Sequence, residues 1–231
     1  MQIVAHPLTK ASHQLAMDEA LLLIAEEQTS AAGGPCEFIR VWEFEHPTVI
    51  VGRSSRVAEE VDIDFCRSEG IPIFRRCTGG ASVVGGPGCL MYSVVLDLDL
   101  RPDLARIDVT HQFVMKHLQT AVNRQFQAAT EAAKFQGTCD LTFNNCKFSG
   151  NSMRMARHHL LYHGTLLYDG DLGLIARCLK FAPRQPDYRA ERDHAQFITN
   201  IDIDPAGLRL DLVDVFGGRE SWREALPQSR I

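Results

Sequence analysis

Long hydrophobic runs are missing from this 231-residue chain. Nothing in it approaches the roughly 18 to 20 consecutive apolar residues that cross a bilayer, and the Met1 end lacks the basic start of a secretory leader. The expectation is a soluble, cytoplasmic protein with no membrane partner. Strong charge of either sign is also missing. Lys plus Arg number 24 against 29 Asp plus Glu, a net charge of -5, which supplies no general field for nucleic acid, so any anion site must be local. Cysteine pairs are lacking as well. The seven cysteines (36, 66, 77, 89, 139, 146 and 178) are odd in number, scattered and without a CxxC, which argues against a disulfide framework and a thiolate zinc site and suits a reducing compartment. His158, His159 and His163 come nearest to a metal pattern, yet no carboxylate or cysteine accompanies them locally, so no metal site is expected. Lysine is scarce. Only positions 10, 116, 134, 147 and 180 carry it, and a lysine in a special setting therefore stands out.

What is present reads as one continuous domain, without repeats or low-complexity linkers, interrupted only by a loop at Gly33, Gly34 and Pro35. A long helix is predicted from Ser12, with Met17, Ala20, Leu21 and Ile24 on its buried face. Strands are predicted over 38–44, 48–51, 71–74 and 89–97, and a helix over 62–69. A second long helix is capped near Asp108 or Thr110 and runs to about Phe126. Two short strands, 139–143 and 146–150, turn at Asn144 and Asn145, and a longer strand covers 158–168. Asp171 caps a third helix that Pro183 stops. Beyond Asn200 the signals conflict: Asp204-Pro205 opens a helix, while Leu208, Leu210 and Leu212 alternate as a strand would. Strands and helices that intersperse without strict alternation predict an α+β fold with a mixed, mostly antiparallel sheet and flanking helices.

Four segments carry chemistry. In RRCTGGASVVGGPGCLMYS, residues 75–93, two arginines run into a backbone rich in glycine. Backbone N–H groups there can approach phosphate or carboxylate oxygens while guanidinium groups supply charge; a glycine-rich hairpin with solvated arginines is the competing interpretation. It is no P-loop, because the GK[ST] ending is absent and a strand follows. In DLTFNNCKFSGN, residues 140–151, simple alternation puts Lys147 and Ser149 on one face and Cys146 and Phe148 on the other, and the compact ammonium of Lys147 suits charge developing on oxygen. In HHLLYHGTLLYD, residues 158–169, His163 precedes a mid-strand glycine of the kind that marks close approach of a ligand or another backbone. The segment PRQPDYRAERDH, residues 183–194, is an arginine-bearing loop that either closes on an anion or is a solvated surface.

Together with the opening QLAMDEALL, the strand IRVWEFEHPTVIVGR, the lead-in FCRSEGIPIFRR and the late QPDYRAERDHAQFITNI, this ordered set resembles the catalytic domain of the lipoate protein ligase and octanoyltransferase family, related in fold to biotin protein ligases. The resemblance implies a single catalytic domain over 1–231, without the accessory domain that follows it in the long ligases. It implies a reaction with ATP and Mg²⁺ in which the carboxylate of lipoate or octanoate attacks the α-phosphate, giving an acyl-AMP whose acyl carbon a lipoyl-domain lysine then attacks. The implied acceptors are the lipoyl domains of 2-oxoacid dehydrogenase complexes or the glycine-cleavage H protein, and an acyl carrier protein or a separate accessory protein are the further partners it suggests. Lys147 matches the family's invariant lysine, expected at the acyl carbonyl and phosphate oxygens. Arg75, Arg76, Thr78, Gly79, Gly80 and Ala81 match the adenylate-side turn, and Asp140, Ser149, Gly150, Asn151, His163, Gly164 and Thr165 complete the expected pocket. Met91, Val95 and Leu161 are candidates for an apolar groove that shelters the fragile mixed anhydride from water. This chain departs from the family pattern at Ala81, Gly85 and Cys89. The thiols of Cys89 and Cys139 keep a second enzymatic reading open, acyl transfer through a cysteine thioester without ATP. A third reading is a non-catalytic binder of an acyl chain or a lipoyl domain.

Overall fold

The computed structural model describes residues 1–5, 8–32, 36–126, 132–181 and 185–217; the expected loop at 33–35 and the stop at Pro183 lie outside them. Among the described residues ten strands form in chain order: β1 (Gln2–Ile3), β2 (Phe38–Trp42), β3 (Thr48–Val51), β4 (Ile73–Arg75), β5 (Val83–Gly85), β6 (Cys89–Asp97), β7 (Lys134–Gln136), β8 (Asp140–Phe143), β9 (Cys146–Met155) and β10 (His159–Leu167). The helices are α1 (Ala11–Ala32), α2 (Val57–Glu60), α3 (Ile63–Ser68), α4 (Ile107–Gln125), α5 (Leu172–Cys178), α6 (His194–Phe197) and α7 (Pro205–Gly217). None of the described helices is long and apolar enough to cross a membrane.

Seven strands make one sheet in the order β1-β2-β6-β10-β9-β8-β7, and β4-β3-β5 make a second. Only β1–β2 and β3–β4 pair in parallel, so the sheets are mixed and mostly antiparallel, as the sequence predicts. β6 and β10 pair along their whole length, from His159 opposite Asp97 to Leu167 opposite Cys89, and every residue of both is buried. Burial on both faces requires cover on both. α1 packs on β10 and β6 from one side, while α4 and α7 pack together on the other.

Details differ from the sequence reading for identifiable reasons. The buried face of α1 is Gln14, Asp18, Leu21, Leu22 and Ala25, and Ile24 is exposed, because two polar residues take places that periodicity gives to apolar ones. α4 starts at Ile107 with no side-chain cap on Arg106, one turn earlier than a cap at Thr110 would allow; the Thr110 hydroxyl instead donates to the Leu104 carbonyl at 2.6 Å. The segment after Asn200 resolves as α7, with Leu208 and Leu212 buried and Leu210 outside. Asn144 and Asn145 both adopt left-handed φ values of 50° and 58°, the pairing that a tight two-residue hairpin demands.

Candidate active site

The glycine-rich turn after β4 is built around a buried cation. Arg76 spends its guanidinium on the turn itself: Nε on the Thr78 hydroxyl (3.0 Å) and Gly79 carbonyl (3.1 Å), one terminal nitrogen on the Ala81 carbonyl (2.9 Å), the other on Ile50 (3.3 Å). Burial pulls its pKa down to about 10, against the opposing charge of Glu60. Arg75 points elsewhere. It donates to the carbonyls of Gly52 (2.5 Å), Arg53 and Ser55, so it staples the neighbouring loop and does not face the cavities. Both arginines thus shape the backbone that would meet an anion.

Opposite this turn lies β9. Leu141 pairs with Ser149 and Thr142 with Lys147, so Phe148 is an extra residue on β9, a bulge. The bulge overturns the simple alternation. Lys147 stands beside Gly150, where a Cβ would lie 2.9 Å from its Nζ, while Ser149 turns inward to accept from Asn151 at 3.1 Å. Asn151 is itself locked, accepting from Tyr92 (2.6 Å) and donating to the Cys139 carbonyl (2.8 Å). Its side chain presses on β10 so closely that a Cβ at Gly164 would come within 1.9 Å of its oxygen; only glycine fits there. The Lys147 ammonium pairs with Asp140 Oδ1 at 2.7 Å, and the Ser152 hydroxyl reaches across to donate to the Gly79 carbonyl at 2.8 Å. β9 and the glycine turn therefore face one another across a single cleft.

Two cavities meet in that cleft. The larger is lined by Glu60, Lys180, Arg189, His194, Phe197 and Ile198 among others; the smaller by Leu15, Trp42, Ile50, Met91, Asp18 and His163. Ala81, Ser82, Val83, Lys147, Gly150 and Thr165 belong to both. The first carries net positive charge on a largely apolar wall, with Lys147, Lys180 and Arg189 against one carboxylate, Glu60, which accepts from the Ser82 amide and hydroxyl, each at 2.7 Å. Arg189 lies there stacked on Phe197 (4.6 Å) and Phe181 (5.0 Å), with one buried guanidinium nitrogen lacking a hydrogen-bond partner. The second is apolar along one wall. Its Trp42 indole N–H is likewise buried without a partner.

A buried chain of polar groups missed by the sequence reading supports the second cavity. Asp18 on α1 accepts from Arg40 (2.5 Å) and Ser93 (2.8 Å) through one oxygen and pairs with His163 Nδ1 (2.9 Å) through the other. His163 Nε2 meets the Thr78 hydroxyl at 2.6 Å, which Arg76 holds in turn. His163 and Thr78 were expected at the site, but Asp18 and Arg40 were not; a charged residue on the inner face of a helix carries no periodic signature. The other two histidines diverge from His163, His158 toward Asp99 (3.0 Å) and His159 toward Glu26 (3.2 Å). Among the described residues no group of three His, Cys, Asp or Glu side chains is placed to hold a metal.

Several expected residues sit elsewhere. Of the three apolar candidates only Met91 lines the cavity; Val95 and Leu161 are sealed beneath α1 with Leu21, Leu22 and Ala25. Cys89 lines a separate cavity near Pro47 and Gly170, and burial, then the Glu43 charge, pushes its thiol up to about 12. Cys139 donates to the Asn151 carbonyl at 2.9 Å and is pushed up to about 11 by burial and by Asp140, against the pull of Lys147. No cysteine lines either of the two joined cavities among the described residues.

The family model described as the lipoyl protein ligase A/B catalytic domain matches residues 10–204, most of the chain, and the chain belongs to this family. It is 32% identical over 150 residues to the probable lipoate-protein ligase A of Mycoplasma genitalium, covering 63% of this chain and 42% of that one. It is 24% identical over 209 residues to octanoyltransferase LipM of Carboxydothermus hydrogenoformans, covering 85% and 74%. The chain spans about half the length of the curated ligases it matches. Its fold is similar to that of a bi-partite lipoate protein ligase from Thermoplasma acidophilum, described with its E2 lipoyl domain, at TM-score 0.69 and 21% identity over 96% of this chain and 83% of that one.

Proposed function

We propose that the chain works as a lipoate-protein ligase, joining lipoyl or octanoyl groups to the acceptor lysine of lipoyl domains through an acyl-AMP. The observation that carries this reading is the position of Lys147 at the junction of an apolar and a basic cavity. An acyl tail fits beside Trp42, Ile50 and Met91, which leaves its carboxylate at the junction. A nucleotide fits the larger cavity, where Lys180 and Arg189 supply positive charge. The carboxylate oxygen attacks the α-phosphorus, the bond to the bridging oxygen breaks, and pyrophosphate leaves. An acceptor amine then attacks the acyl carbon, and AMP departs with the C–O bonding pair. In both steps charge grows on oxygens at the junction, where the ammonium of Lys147 stabilises it. A magnesium ion, where the nucleotide brings one, would sit on phosphate oxygens.

The thioester alternative needs a thiolate in reach of the acyl carbon. Cys89 is buried and Cys139 half-buried, and both are held in the neutral form, which weighs against it. The test is made with purified protein: lipoate, Mg²⁺-ATP and a lipoyl domain in one mixture, octanoyl carrier protein and the same domain without ATP in another. Lipoylated domain and AMP are expected in the first, with the rate falling at least about 100-fold in Lys147→Ala. Product in the second mixture alone overturns the adenylate reading in favour of acyl transfer.

A further inference from the structure

The segment 185–193, beside the basic cavity, carries a second connection to the site. Tyr188 donates its hydroxyl to Asp140 Oδ2 at 2.7 Å, while Asp140 Oδ1 holds the Lys147 ammonium at the same distance. The tyrosine is itself fixed on three sides. Its ring packs on Phe197 with centroids 5.4 Å apart. A Cβ at Gly137, in the β7–β8 turn, would meet its ring at 3.2 Å. Its carbonyl accepts from Arg192 at 2.9 Å, and Arg192 also donates to the Asn145 carbonyl at 3.0 Å, which ties the segment to the β8–β9 hairpin. Burial and the neighbouring carboxylate raise the phenol's pKa, so it stays a donor.

We infer that Tyr188 is a positioning residue for Lys147, acting through Asp140. A carboxylate facing an ammonium alone can take two of its three N–H groups, one on each oxygen. Tyr188 donates to Oδ2 and Lys147 is held on Oδ1, so a second ammonium N–H would have to compete with the phenol for Oδ2. That leaves two N–H donors free of Asp140 on a lysine that lines both cavities, where a developing oxyanion would use them. A residue beside the basic cavity thereby sets the state of the lysine, and the inference rests on the reading of Lys147 as the group that stabilises the reacting oxygens.

The test is Tyr188→Phe, which keeps the ring and removes the hydroxyl. ATP–pyrophosphate exchange with lipoate should show kcat lowered about three- to tenfold, the effect of one hydrogen bond, and KM for lipoate unchanged, because the acyl cavity does not include Tyr188. In an Asp140→Asn background the same substitution should add nothing. Full losses from both changes, or an unaltered kcat, overturn the inference. Acetylation footprinting of Lys147 by mass spectrometry gives a readout that needs no activity. It should slow several-fold in Tyr188→Phe, as the freed carboxylate oxygen takes a second N–H. An equal footprint in both proteins overturns the positioning role even if exchange is absent, whereas absent exchange in wild type with a slowed footprint defeats only the ligase reading.

Discussion

A thiol enclosed by hydrocarbon resists giving up its proton, and Cys89 and Cys178 show the consequence. Both are fully enclosed, and burial pushes each up to about 12 from an ordinary value of 9, aided by Glu43 for the first and Cys66 for the second. The native state keeps these protons while the unfolded chain loses them above pH 9. Their contribution is therefore complete below pH 9 and is lost as pH rises toward 12, at about 1.4 kcal/mol per thiol per pH unit. Urea midpoints should drop between pH 8 and pH 10.5, and the drop should shrink in Cys89→Ala. A flat profile over that range contradicts this account. The same physics separates Cys89 from the chemistry that its place after the glycines suggests.

At the scale of elements, alternation and caps made most of the fold legible. β6 and β10 read as strands because apolar residues fill both parities, and the Asn144-Asn145 turn announces its hairpin. What stayed hidden are features that no local pattern encodes. The bulge at Phe148 depends on how β9 meets β8, and it moves Ser149 off the face of Lys147. α7 looked strand-like because Leu210 is left exposed on a helix whose burial needs only Leu208 and Leu212. Lys147 and the glycine turn were recognisable from residue type and order, whereas the Asp18 network required the packing of α1 on β10. That network predicts a separation of effects. Asp18→Ala, which strands a buried Arg40, should cost about 3–5 kcal/mol in urea unfolding. Lys147→Ala, whose lysine is 27% exposed and whose buried partner Asp140 keeps the Tyr188 hydrogen bond, should cost less, about 1–2 kcal/mol, while abolishing turnover. Equal stability losses would contradict the division between the two ion pairs.

For the molecule as a whole, two cavities that share Lys147, Gly150 and Thr165 should behave as one site. A non-hydrolysable acyl-sulfamoyl adenosine, spanning both, should raise the melting temperature by more than the sum of the shifts from lipoate and from a non-hydrolysable ATP analogue at equal concentration. Additive shifts would mean that the cavities bind independently. The connectivity reinforces this unity: Ile198 bridges to Lys147, and the Thr199 amide donates to the Lys147 carbonyl at 2.9 Å, so the lysine's own backbone is held by residues some fifty positions later.

That late clasp has a consequence for synthesis. Ribosomes deliver Asp18, the arginine-braced turn and Lys147 in succession, yet the far wall and its bracing of the lysine arrive only with residues 186–199. A chain truncated before residue 186 keeps the Lys147 ammonium without that enclosure, so it should give no lipoylated domain in the assay above, and product from such a fragment would contradict the bracing role.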